Sequence, residues 1–169
     1  MSMNEADTRY HLIDPVLRDK GYVSRERITL ETMYRAMGFQ RVLLCLKDPK
    51  AGLMAGRFGF GADTNELARK FHFPLADAPN VFQLAITKGV DIIISDIDDP
   101  KIASKIPDWY RRIVIARTFV LLPLLIKGRA VALIYCDRDK AGSIVIPEKE
   151  LSLLKTLRNQ ALLAIKQSM

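Results

Sequence analysis

The side chains best equipped for chemistry in this sequence are two histidines, two cysteines, a knot of aspartates and a glycine-rich run. His11 stands near the N-terminus, and His72 stands between Phe71 and Phe73 with no serine or cysteine beside it. A Ser/His/Asp or Cys/His relay needs a nucleophile and a base that meet, and no local signature marks such a pair. His72 therefore reads as a partly exposed or capping residue. Cys45 and Cys136 lie inside apolar runs, the setting of buried, reduced thiols in a cytosolic protein. There is no HExxH, no CxxC and no cluster of His and Cys, so no metal site is assigned. Asp96, Asp98 and Asp99 lack the spaced oxygens and closing glutamate of a calcium loop, and read as a solvated acidic turn. Gly56, Gly59 and Gly61 (GRFGFG) match neither GxGxxG nor a loop ending in GK[ST]. No catalytic residue and no cofactor follow from these residues.

What must position any remaining site is a chain of 169 residues, a length that favours one core. The formal charge is +7, but its 26 basic residues are scattered among 19 acidic ones without a basic run. Asp91, Asp96, Asp98 and Asp99 are followed by Lys101, Lys105, Arg111, Arg112 and Arg117, so the sign alternates locally. Solvated surface charge is the reading, and no nucleic-acid partner is expected. The longest apolar run, Thr118 to Ile126, is broken by Pro123 and is shorter than the roughly 18 residues of a membrane span. No membrane association is expected, and a cytoplasmic location is.

Residues 1–23, with Pro15 and Gly21, read as an N-terminal arm or linker, and residues 24–169 as the folded domain. Ser24 can cap a helix to Met37, in which Leu30, Met33, Tyr34 and Met37 share one face. Arg41 to Lys47 and Leu53 to Phe60 read as an antiparallel hairpin across Asp48-Pro49. A short helix through Phe71, another over Val81 to Lys88, and a strand from Val90 to Ser95 follow. Asp98 to Tyr110 reads as irregular, with a helical turn at Lys101 to Lys105. Thr118 to Ile126 and Val131 to Cys136 form a second hairpin, and Pro147 opens a long helix to about Gln167. Short connections imply an α+β fold: a mainly antiparallel sheet of five or six strands covered by helices.

Several stretches carry a resemblance beyond this order. RTFVLLPLLIKGRAVALIYCDR, Arg117 to Arg138, and LSLLKTLRNQALLAI, Leu151 to Ile165, resemble the central strands and closing helix of the GAF domain. GFxRVLLCL, FxxPL, FxxAI and TLRNQ are similar to stretches of GAF domains in bacterial proteins that also carry an HDOD domain. Ala130-Val131 departs from the family pattern, which has a second glycine there. The resemblance implies terminal helices on one face of the sheet and short helices and loops over the other.

It also implies a non-catalytic sensory domain that binds a small molecule, dimerises, or both, and regulates an attached signalling domain. A pure dimerisation or docking module is the alternative, and a small redox enzyme a third possibility. The loop cysteines of methionine-sulfoxide-reducing members and the chromophore-bearing cysteine of bilin-binding members have no counterpart here. Asn80-Val81-Phe82 is only a fragment of the cyclic-nucleotide signature. The resemblance places a ligand between the sheet and the helical layer, with Phe60, Phe73, Phe82, Trp109 and Tyr110 as lining and Arg112 or Arg117 as charge. The alternative is that these aromatics are core and that Arg117 pairs with an aspartate. Pairing of the terminal helices in a homodimer would use Leu153, Leu154, Leu157, Ala161, Leu162 and Ile165, unless they simply cover their own sheet.

Overall fold

The computed structural model describes residues 25–168, so the N-terminal arm, Ser24 and His11 lie outside the described residues. In chain order the elements are α1 (Arg25–Met37), β1 (Arg41–Asp48), β2 (Leu53–Gly61), α2 (Thr64–Lys70), β3 (His72–Pro74) and α3 (Val81–Lys88). Then follow β4 (Ile92–Ile94), a 3₁₀ turn (Ala103–Lys105), α4 (Asp108–Ile113), β5 (Thr118–Ile126), β6 (Arg129–Arg138) and α5 (Glu148–Ser168).

The strands form one sheet in the order β3-β2-β1-β6-β5-β4, and each neighbouring pair is antiparallel. Lys127 and Gly128, both at positive φ (51° and 77°), make the two-residue turn between β5 and β6, the twist that a hairpin of right-handed strands requires. An irregularity in β2 opposite Leu44 and Cys45 leaves Arg57 without a partner in the ladder. Asn80 caps α3 by accepting a 2.9 Å bond from the Gln83 amide, and Gly89 at φ 65° closes it.

Alternation along the strands divides the core in two. Val42, Leu44, Phe58, Val120, Leu122, Ile134 and Cys136 point to one face, where Leu30, Met33, Leu154, Leu157 and Ala161 of α1 and α5 cover them. Leu43, Cys45, Met54, Phe119, Leu121, Leu133 and Tyr135 point to the other, beneath Leu67, Phe82 and Tyr110 of α2, α3 and α4. On that second face α2 lies close to β2. A Cβ on Gly56 would come within 2.5 Å of the Ala68 carbonyl oxygen, and the Gly56 amide donates to the Phe71 carbonyl at 2.7 Å.

Two elements differ from the sequence reading. β3 is three residues long, too short for a period to register. α4 occupies part of the stretch expected to be irregular: it is six residues, DWYRRI, with no side-chain cap, and is held by the burial of Tyr110 rather than by propensity.

Candidate functional site

The face under the short helices is built from rings. Phe71, Phe73, Phe82, Trp109, Tyr110, Phe119 and Tyr135 form a continuous network, with Phe73 stacked on Trp109 (centroids 5.3 Å apart, planes 9° apart) and Phe82 lying 4.8 Å from Trp109. The seven rings come from five pieces of backbone: β3 and the residue before it, α3, α4, β5 and β6. Offset and edge-on contacts of this kind contribute about 0.5–1.5 kcal/mol each beyond the area they bury.

Two buried polar atoms of the short helices on this face, one on α3 and one on α4, have no partner among the described residues. The indole Nε1–H of Trp109 is buried without an acceptor, and so is Oε1 of Gln83 without a donor, among the described residues. The Gln83 amide nitrogen is already committed to the Leu75 carbonyl, so its free group is an acceptor. A buried unpaired donor and a buried unpaired acceptor each cost about 1–3 kcal/mol.

A chain of polar groups runs from the aromatic layer to the end of the sheet. The Tyr110 and Tyr135 hydroxyls are 2.7 Å apart, and Tyr135 donates to Oδ2 of Asp137 at 2.6 Å. Nη1 of Arg41 donates to both oxygens of Asp137 at 3.0 Å and reaches Asp139 at 3.3 Å. Gln40 Nε2 then donates to Asp139 at 2.8 Å. Asp137 is fully buried. Burial pushes its carboxyl up to about 6, against the opposing pull of Tyr135 and Arg41. Burial likewise raises the Tyr110 and Tyr135 hydroxyls. Arg41 also lines an open cleft of about 240 Å³, with Asp63, Glu66 and Lys70 on one side and Ile113, Val114 and Ile115 on the other.

The sequence-derived residues divide clearly. Phe73, Phe82, Trp109 and Tyr110 come together, and they fill with rings the space where an open pocket was expected. Phe60 is a correction: it pairs with Val42 and packs on the other face, against Phe58. The glycines on either side of it carry no side chain, which hid the face it takes. Arg112 is exposed. Arg117 lies away from the rings and binds Asp96 and Asp98, each at 3.1 Å. The Asp98 amide, with Arg117, holds the Asp96 carboxyl below its usual range. His72 is exposed on β3. Leu154, Leu157, Ala161 and Ile165 are buried in the molecule's own core, with Leu162 partly buried beside them, and Leu153 is 42% exposed. Tyr135, Asp137, Arg41 and Gln83 were not singled out from the sequence. The usable signal was Asp137, an acid two residues from Tyr135 that directly follows the apolar run of β6.

Cys45 and Cys136 are buried on opposite faces of the sheet, and burial raises both thiols. Among the described residues, no group of three or more His, Cys, Asp or Glu could hold a metal ion, and no helix is long and apolar enough to cross a membrane.

No curated protein matches the chain. Among solved structures, residues 122 to 287 of a methyl-accepting chemotaxis protein superpose with a TM-score of 0.66 at 20% identity, covering 89% of this chain and 92% of that one. A GAF domain/HD domain protein from Geobacter sulfurreducens gives 0.67 at 10% identity, covering 95% of both chains. A free methionine-R-sulfoxide reductase from Neisseria meningitidis, solved with its substrate, gives 0.57 at 19% identity, covering 84% of this chain and 78% of that one. These likenesses share the fold. The GAF domain family model matches residues 27–165, and the chain belongs to the GAF domain family.

Proposed function

We propose that this chain is a non-catalytic, cytoplasmic sensory domain that takes a small ligand into its aromatic layer and signals through α1 and α5 to an attached domain. The observation that carries this reading is the pair of unpartnered buried groups, Trp109 Nε1–H of α4 and Gln83 Oε1 of α3, on the two helices that cover that layer. A ligand offering one acceptor and one donor would satisfy both, while its apolar body would replace ring contacts made at present by Trp109. The chemotaxis and GAF/HD-domain neighbours, whose names are those of signalling proteins, support a sensory role. One neighbour is named a free methionine-R-sulfoxide reductase, but Cys45 and Cys136 are buried thiols with raised pKa, and such thiols are poor nucleophiles.

The homodimer belongs to the same proposal. Leu153, Thr156, Gln160 and Leu163 recur along one uncharged, exposed line of α5, at the spacing of a helix-pairing seam. Leu163 is 57% exposed. The pure docking module is the second reading, favoured by how fully the rings close the layer.

The test is a thermal-shift screen against nucleotides, haem and amino acids, read alongside Trp109 fluorescence. A compound at a hundred times its Kd raises stability by about 2.7 kcal/mol. That gain is expected to shrink in Gln83→Leu. A protein that is dimeric by light scattering, yet silent to every compound in both readouts, would overturn the ligand reading in favour of docking.

A further inference from the structure

The polar chain under the rings has a direction, and the direction depends on one proton. An ionised carboxylate only accepts hydrogen bonds. With Asp137 ionised, Tyr135 must donate to it across the 2.6 Å contact. The Tyr135 oxygen is then the acceptor of the 2.7 Å bond, and Tyr110 is its donor. If Asp137 takes a proton from solvent on Oδ2, that new O–H donates to Tyr135, and Tyr135 in turn donates to Tyr110. The Tyr110 hydrogen then turns to the Ala116 carbonyl, 3.5 Å away. One proton enters, none leaves, and the same heavy atoms serve both arrangements.

We propose that the chain Tyr110–Tyr135–Asp137–Arg41 is a proton-operated switch, which gives the domain an input separate from any ligand by turning the Tyr110 hydroxyl between Tyr135 and the Ala116 carbonyl beyond α4. Its reach is set by what each end holds. Tyr110 follows Trp109 in α4, so tightening the Ala116 contact moves the C-terminal end of that helix against the ring layer. At the other end Arg41 donates to Asp139, to which Gln40 also donates, and Gln40 follows α1 by three residues. The chain thus links the ligand-side layer to the corner from which α1 departs.

The surroundings of Asp137 favour a change of charge near neutral pH. Arg41 of β1 favours the ionised form, and Asp139 on the same strand opposes it. Tyr135 on its own strand and Tyr110 of α4 are the hydroxyls of the chain. Phe119 of β5, its partner in the ladder, brings no charge, and Cys136 points to the other face. Asp63, Glu66 and Lys70 stand across the cleft, beyond Arg41. Burial outweighs the stabilising partners and lifts the carboxyl to about 6.

Trp109 is the sole tryptophan of the chain, so its emission reports on α4 without a second probe. The full chain, with no ligand added, is titrated from about pH 4.5 to about pH 7.5, with the Asp137 13Cγ shift followed by NMR in parallel. The expected result is a one-proton change in Trp109 emission whose midpoint coincides with the Asp137 titration. It is absent in Asp137→Asn and unaltered in His72→Gln, the control for the side-chain type that changes charge in this range. Tyr135→Phe is expected to leave the Asp137 titration in place and to erase the Trp109 response. Should Asp137→Asn fail to fold, this variant decides alone. The proposal is overturned if Asp137 does not titrate in this window, or if it titrates while Trp109 stays flat. A Trp109 transition that survives Tyr135→Phe, or that disappears in His72→Gln, overturns it as well. Because no ligand is present, failure here leaves the ligand reading standing, and an empty ligand screen leaves the switch standing.

Discussion

The two faces of the sheet solve the same burial problem in different ways. Beneath α1 and α5 the core is mainly aliphatic, with Leu30, Leu44, Leu122, Ile134, Leu154 and Leu157 interleaved beside Phe39 and Phe58. Beneath α2, α3 and α4 it is aromatic, threaded by a buried acid and two hydroxyls, with two polar atoms left unpaired. The long helices bury the larger part of that aliphatic core. The short ones, of six to eight residues, are too short to hold themselves and are kept by ring contacts and hydrogen bonds. The lesson is a division of labour: the face of plain shape complementarity holds the fold, and the face carrying unresolved polarity is where binding and switching are to be sought.

The sharpest test of that contrast is core truncation. Leu154 is fully buried, and Leu154→Ala is expected to lower unfolding free energy by about 2–5 kcal/mol. Trp109→Phe, which removes an unpaired donor along with part of a ring, should stay within about 1 kcal/mol of the parent by urea denaturation. Equal losses would break the comparison.

The next effect is on pH dependence. The folded-state pKa of Asp137 is raised above its ordinary value by burial, so the cost of its charge is fully present above about pH 6 and is relieved as pH falls toward about 4. This group alone makes stability rise on acidification across that window, by on the order of 2–3 kcal/mol. Asp137→Asn should flatten that slope. A slope that persists would assign it to other carboxyls.

A smaller loss is expected from Tyr135→Phe. It deprives Asp137 of a 2.6 Å donor at about 1–3 kcal/mol, and the loss should be greater at pH 7 than at pH 4. The smallest effect on the fold is that of Leu163→Lys on the exposed line of α5, within about 0.5 kcal/mol for the protomer. If α5 pairs two copies, the same change shifts the mass by light scattering from dimer to monomer.

How much of this was legible in the sequence follows from length and periodicity. The two hairpins and α5 were readable because eight- to ten-residue apolar strands and a 21-residue helix repeat their pattern several times. The membership of Phe73, Phe82, Trp109 and Tyr110 in one layer was legible through their place between the hairpins, but not their closure on one another, which depends on tertiary packing. α4 was missed because DWYRRI mixes charges with rings over six residues, fewer than two turns. Phe60 was misplaced because parity fails across the irregularity in β2 opposite Leu44 and Cys45. Asp137 stayed hidden because an acid near a strand end reads as surface; only the pairing of β1 with β6 brings Arg41 opposite it.

Gly56 has a bearing on how this box of rings can open. With the Ala68 backbone resting where a side chain would otherwise stand, α2 is joined to β2 main chain to main chain and has no side chain between them to slide on. α3 and α4 are seated on ring contacts instead. If a ligand enters the layer as proposed, the wall of Phe82 and Trp109 is therefore expected to yield before the wall at Gly56.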